Sequence, residues 1–116
     1  MANIIVLGAG MVGSAMAIDL SHDHKVTSID YNKKNFEKLN SFGINTIQKD
    51  INNSKTIQDL VQDYDIVLNA VPGFMGFKTL ESVIEAGKNI VDISFFPEDC
   101  FLLDKKAKEN NVIAIV

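Results

Sequence analysis

The sequence has 116 residues, 47% of them hydrophobic and 22% charged, with a formal net charge of −4. That length fits one domain, the composition excludes a disordered tail, and no apolar run approaches the roughly 18 residues that cross a bilayer. All 11 basic residues are lysines, and this acidic balance counts against a nucleic-acid partner.

Short β-rich apolar runs alternate with helical patterns along the chain. Asn3–Leu7 reads as a strand buried on both faces. Met11–Leu20 follows as a helix, with Val12, Gly13, Ala15 and Met16 on its expected packing face. Lys25–Asp30 is the second strand, and Asn35–Phe42 a helix carrying Phe36, Leu39 and Phe42. Ile44–Gln48 is a weaker third strand, followed by a helix at Thr56–Gln62. Asp65–Val71 is the fourth strand, and Phe77–Ala86 the helix after it. Asn89–Phe95 is the fifth strand, Asp99–Glu109 a helix, and Val112–Val116 a sixth, buried-looking strand. Strand and helix in strict alternation predict an α/β fold, a doubly wound parallel sheet of about six strands with helices on both faces.

The sharpest motif is Gly8-Ala9-Gly10-Met11-Val12-Gly13, which leaves the first strand and opens the first helix. A GxGxxG string carries weight only in this strand–turn–helix setting, where it marks a Rossmann-type dinucleotide site. Gly8 allows the tight turn, Gly10 lets a pyrophosphate approach the backbone, and Gly13 lets the helix pack closely on the strand. The helix end then offers unpaired N–H groups to phosphate. The plainer reading is a turn that is glycine-rich for packing alone.

Asp30 ends the second strand, where a carboxylate can accept from both hydroxyls of an adenosine ribose. This favours NAD over NADP, although Lys33 and Lys34 follow closely and leave NADP open. Tyr31 belongs to the same candidate site. Asp50 and Ile51 follow the third strand, where they could meet an adenine ring, unless Asp50 only starts a turn with Asn52 and Asn53. Ala70, Val71 and Pro72 end the fourth strand with small apolar groups, beside the point where strand order should reverse.

Two stretches are more particular than the glycine turn: Ala70–Gly76 (AVPGFMG) and Val91–Asp99 (VDISFFPED). With them the chain resembles the N-terminal cofactor domain of the saccharopine dehydrogenase family, lysine 6-dehydrogenase-like members above all, over essentially its whole length. The resemblance implies an NAD(P)-binding Rossmann domain over residues 1–116 and, beyond Val116, a further domain holding dimer contacts and most of the substrate site. It implies an oxidoreductase acting on a C–N bond of a lysine-derived substrate, with hydride passing to or from nicotinamide and an imine hydrolysed by water. It assigns Gly8, Gly10, Gly13, Asp30, Asp50, Val71 and Pro72 to the cofactor. Ser94, Phe95 and Phe96 become a candidate wall near the nicotinamide. The proton-transfer residues would lie in the further domain, so this part should bind cofactor without turnover. A homodimer remains open.

A rival from another class is a nucleotide-sensing regulatory module of the potassium-uptake type, also a short GxGxxG chain without catalysis. Such modules tend to be polar and acidic at the fourth strand end, unlike Ala70–Phe74 here. An S-adenosylmethionine-binding fold is a third option, disfavoured by the regular third glycine. His22 and His24 lack the further ligands of a metal site. Cys100 at a helix start has no histidine base nearby in sequence, and a lone cysteine suits a reducing cytoplasm, as does the absence of a secretory signal pattern. Lys105, Lys106 and Lys108 read as a solvated helix face.

Overall fold

The computed structural model describes residues 2–116. Six parallel strands form one sheet in the order β3-β2-β1-β4-β5-β6. They are β1 (Asn3–Leu7), β2 (Lys25–Asp30), β3 (Asn45–Gln48), β4 (Ile66–Asn69), β5 (Asn89–Asp92) and β6 (Ala114–Ile115). Five α-helices connect them: α1 (Met11–Leu20), α2 (Phe36–Ser41), α3 (Ser54–Val61), α4 (Gly73–Glu85) and α5 (Asp104–Glu109).

The period of two in β1 sorts the core into two layers. Ile4 and Val6 face α1 and α2, with Val26, Ala17, Leu39 and Leu68. Ile5 and Leu7 face the other way and join Ile57 and Val61 of α3 and Leu80, Val83 and Ile84 of α4. A strand covered on both sides must be apolar at every position, which is why the run IIVL carries no polar residue. β1 lies at the centre, paired to β2 through Asn3↔Lys25 to Leu7↔Ile29 and to β4 through Ile4↔Ile66 to Leu7↔Asn69. The chain leaves β1 towards β2 and β3, then returns to lay β4 on the other side. Strand order therefore reverses between β1 and β4, the place where an open parallel sheet leaves a crevice at its carboxyl edge.

Several element bounds differ from the sequence reading. The fifth strand stops at Asp92 rather than Phe95, because the Asp92 carboxylate accepts the Ser94 N–H at 2.7 Å and Phe95 turns to a φ of 55°. The fourth helix begins at Gly73, not Phe77, since Pro72 sits at its N-cap, where a missing N–H costs nothing. Asp99–Glu109 is not one helix. A single 3-10 turn, Cys100–Leu103, capped by the Asp99 carboxylate on the Phe101 N–H, precedes α5. Val12 points outward and is 58% exposed; the packing face of α1 is Gly13, Ser14 and Ala17. The sixth strand is two residues long and exposed, because it lies at the sheet edge with β5 alone to pair with.

Candidate functional site

The glycine turn lies at the carboxyl end of the central strand, pinned from both neighbouring strands. The Gly8 N–H donates to the Ile29 carbonyl at 2.8 Å, and the Ala70 N–H donates to the Leu7 carbonyl at 2.8 Å. Gly8 has a φ of 105°, and a Cβ there would lie 2.5 Å from the Ala70 carbonyl oxygen, so this position takes no other residue. A Cβ on Gly13 would run into the Gly8 carbonyl oxygen, which is how α1 approaches the strand end so closely. Gly10 is different: nothing lies within 4 Å of where its Cβ would be. Its lack of a side chain is not needed for packing and leaves open space in front of the turn.

Ala9 is the anchor of this turn. Its N–H donates to Asp30 Oδ2 at 2.7 Å. Its carbonyl accepts from the Ser14 hydroxyl at 3.0 Å and from Asn35 Nδ2 at 2.6 Å. The other Asp30 oxygen accepts the Asn32 N–H at 2.9 Å. The backbone of α1 is meanwhile left without a side-chain cap, and its first turn holds no acidic residue. A ten-residue helix thus presents unsatisfied N–H groups and its positive dipole end to the crevice.

Two clefts meet at Asp30. One, of about 330 Å³, is lined by Gly8, Asp30, Tyr31, Asp50, Ile51, Asn52, Val71, Pro72 and Met75. It brings together candidate residues from four separate strand ends, with the Asp30 and Asp50 carboxylates among them. Asp50 itself accepts the Asn52 N–H at 2.9 Å, starting a turn. The other cleft, of about 550 Å³, is lined by Ala9, Gly10, Met11, Ser14, Ala15, Asp30, Asn32, Lys34, Asn35 and Lys38. Asn32, Asn35 and Lys38 were not among the sequence candidates. Lys34 was weighed only beside Lys33, which does not line the cleft. Lys34 lies in the turn before α2 and Lys38 within it, and the entry of the chain into that helix brings both to the cleft.

The two stretches that carried the resemblance touch each other. Ala70 is half-buried behind the glycine turn, and its Cβ would lie 3.2 Å from one added to Gly13. Gly73 and Gly76 let the first turn of α4 lie directly on the loop after β5, since a Cβ on Gly73 would be 3.1 Å from the Ser94 carbonyl oxygen and one on Gly76 would overlap the Ser94 side chain. Beneath this contact is a buried polar cluster. Asn69 Nδ2 donates to Asp92 Oδ2 at 2.7 Å, and the Ser94 hydroxyl donates to Asp92 Oδ1 at 2.6 Å. Ser94 therefore turns inward, and Phe96 packs on Phe77 with ring centroids 5.7 Å apart. Of the candidate wall residues Ser94, Phe95 and Phe96, Phe95 alone is exposed, at 95%.

His24 Nδ1 accepts the Ala2 N–H at 3.0 Å, a structural role. Among the described residues no group of three His, Cys, Asp or Glu side chains could hold a metal ion. No helix of the described residues is long and apolar enough to cross a membrane.

Residues 4–115 match the family model of the saccharopine dehydrogenase NADP-binding domain. The chain belongs to that family. It is a nicotinamide-dinucleotide-binding domain of the kind found in dehydrogenases. No curated protein matches the sequence. Among solved structures, saccharopine dehydrogenase (L-Glu forming) from Saccharomyces cerevisiae is similar to it, with a TM-score of 0.84 at 21% identity, over 98% of this chain and 26% of that one. An NAD(H)-bound scyllo-inositol dehydrogenase from Lactobacillus casei aligns with a TM-score of 0.76 at 18% identity, over 98% of this chain and 35% of that one. A 3-hydroxyisobutyrate dehydrogenase from Mycobacterium tuberculosis gives 0.75 at 19%, over 98% and 39%. At such identities these likenesses establish the shared fold. The chain spans between about a quarter and two fifths of the length of those proteins.

Proposed function

We propose that this chain is the cofactor-binding domain of a longer oxidoreductase acting on a C–N bond of a lysine-derived amino acid, of the saccharopine or lysine dehydrogenase type. The observation that carries the cofactor half of this reading is the open space at Gly10, set in front of an uncapped helix end and between two clefts that share Asp30. The fold alone would not ask for that arrangement. The lysine-derived substrate rests on family membership and on the AVPGFMG and VDISFFPED stretches.

In this reading Gly8–Gly13 and the N–H groups of Met11 and Val12 hold the pyrophosphate, and the uncharged turn lets it approach. Tyr31, Asp50, Ile51, Val71 and Pro72 surround the adenine. Asp30 takes the ribose. An ionised carboxylate has about four acceptor positions, and two are used by Ala9 and Asn32, which leaves room for the ribose hydroxyls and supports NAD. In this reading the nicotinamide half extends towards Ala70, behind the glycine turn, and the exposed ring of Phe95. The bound nicotinamide supplies hydride transfer; the domain's own part is to orient it and to exclude water from one side. Substrate contacts and proton transfer belong to the rest of the longer protein.

Thermal unfolding with NADH, NADPH, ATP and S-adenosylmethionine, each added alone, tests the reading. A ligand that binds only the folded chain at a hundred times its Kd stabilises it by about 2.7 kcal/mol. A midpoint rise with a nicotinamide dinucleotide is expected. A rise with ATP alone would replace the dehydrogenase reading with a nucleotide-sensing module. The full-length protein should then reduce NAD or NADP when given lysine or saccharopine, and failure with both would remove the substrate assignment while leaving the cofactor site.

A further inference from the structure

We infer that Asn35 is a positioning residue for the cofactor: from the start of α2 it holds the Ala9 carbonyl, and so fixes the peptide that aims the Gly10 N–H out of the turn. This rests on the dinucleotide reading above and deepens it with a residue outside the glycine motif.

Three observations carry it. First, Asn35 stands at the N-cap of α2 but does not cap it. The corresponding residue of α3, Asn53, accepts the Thr56 N–H at 3.1 Å, the ordinary use of an asparagine there. Asn35 instead donates through Nδ2 to the Ala9 carbonyl at 2.6 Å, 26 residues back along the chain. The first turn of α2 is left without the partner that this side chain could supply. Second, Ala9 is held at both of its backbone groups. Its N–H goes to Asp30 Oδ2 at 2.7 Å, and its carbonyl takes the Ser14 hydroxyl at 3.0 Å as well as Asn35. Both lone pairs of that carbonyl are therefore used. Third, the next N–H is free. The peptide from Ala9 to Gly10 is trans, so its C=O and N–H point opposite ways. Drawing the carbonyl towards Ser14 and Asn35 turns the Gly10 N–H away from them. Among the described residues no group accepts that N–H, and the space in front of Gly10 is open. Asn35 itself is half-buried at the wall of the larger cleft, beside the turn it holds.

A positioning role is read by ligands that differ in the phosphates. ADP-ribose carries the pyrophosphate; adenosine keeps the base and ribose and lacks it. Both are expected to bind the parent in nuclear magnetic resonance titrations, adenosine more weakly. In Asn35→Ala the ADP-ribose affinity should fall about fivefold, near the worth of one neutral hydrogen bond. Adenosine affinity should move less than about twofold. Asn35→Asp keeps the size and the N-cap preference but cannot donate once ionised. It sets a carboxylate against the Ala9 carbonyl and should cost ADP-ribose about tenfold. In Asn35→Ala or Ser14→Ala alone the carbonyl keeps one side-chain donor, and in the double variant it has none. The double variant should therefore lose more ADP-ribose affinity than the product of the two single losses.

An ADP-ribose affinity unchanged in both Asn35 variants, or a loss shared equally by adenosine, overturns the role of Asn35 and leaves the dinucleotide site standing. A double-variant loss no greater than the product overturns the shared carbonyl as its route. Binding of neither ligand by the parent overturns the role together with the reading beneath it. Circular dichroism checks the fold of each variant, and Asn35→Asp, which retains the cap preference, carries the test if Asn35→Ala does not fold.

Discussion

Two glycine motifs lie at the carboxyl edge of this sheet, and they use the residue for opposite ends. In the turn after β1, Gly10 has empty space before it. In the first turn of α4, Gly73 and Gly76 have none, because the Ser94 backbone and side chain fill the place of their Cβ atoms. One motif leaves open space beside the turn; the other closes a joint between two loops. The stretches that carried the family resemblance thus serve packing, and the open glycine belongs to the motif on which the proposed cofactor site rests. Below the closed joint a buried carboxylate, Asp92, is satisfied wholly by neutral donors from Asn69 and Ser94, so it fixes the loop that presents Phe95.

This contrast is broken most sharply at Gly10. Gly10→Val should leave the unfolding midpoint near that of the parent, since nothing lies within 4 Å of the new Cβ and the φ of −75° suits any residue. Its branched side chain would occupy the phosphate's approach, and dinucleotide affinity should fall by about a hundredfold or more, about 3 kcal/mol. A variant that binds like the parent would show that the open space is unused. Gly76→Ala tests the opposite member. Its methyl group cannot coexist with the Ser94 side chain, and displacing Ser94 strains its bond to Asp92. A loss of about 1–3 kcal/mol in denaturant unfolding is expected, the usual range for overpacking. An unchanged midpoint would mean that the joint is loose.

Asp30→Ala lies between the two, because Asp30 both braces the turn and faces the clefts. Removing it leaves the Ala9 N–H without its acceptor and takes away the ribose partner. NADH affinity should fall about tenfold, with about 1 kcal/mol of stability lost alongside. If stability falls and NADH affinity does not, Asp30 serves the turn alone, and its place in the ribose site is lost.

These pairs also explain what could be read before the structure. The layers of the core were legible in IIVL, because a strand buried on both faces leaves no choice of residue, and the strand–glycine–helix passage gave the centre of the sheet. Local spacing could place Gly8, Gly10 and Gly13 but could not tell an open glycine from a packed one. That depends on Ser94, which lies far along the chain from Gly10 and comes up against Gly76 only through the β4–β5 pairing. The end of β5 was overread for a related reason: Ile93, Phe95 and Phe96 have strand-like side chains, but the Asp92 carboxylate takes the Ser94 N–H away from the ladder. Lys38 was not legible as a cleft residue because only the turn from β2 into α2 brings it to the same cleft as Gly10.

The smallest effect lies away from the glycine motifs, at a paired lysine of α5. Lys106 has its ammonium pKa raised above the ordinary 10.5, chiefly by its hydrogen bond to Glu81; partial desolvation opposes this, and the charges of Glu81 and Glu85 add to it. The ammonium lies 3.0 Å from Glu81 and 3.7 Å from Glu85, with its side chain more than a third exposed, so solvent weakens the gain. A raised pKa means that folding favours the protonated form. Its contribution is complete below the unfolded value and is lost as pH climbs through the folded one. The stability gap between the parent and Lys106→Met should therefore hold steady through neutral pH and shrink above 10.5. A Lys106 gap that widened with pH would contradict the sign of the linkage.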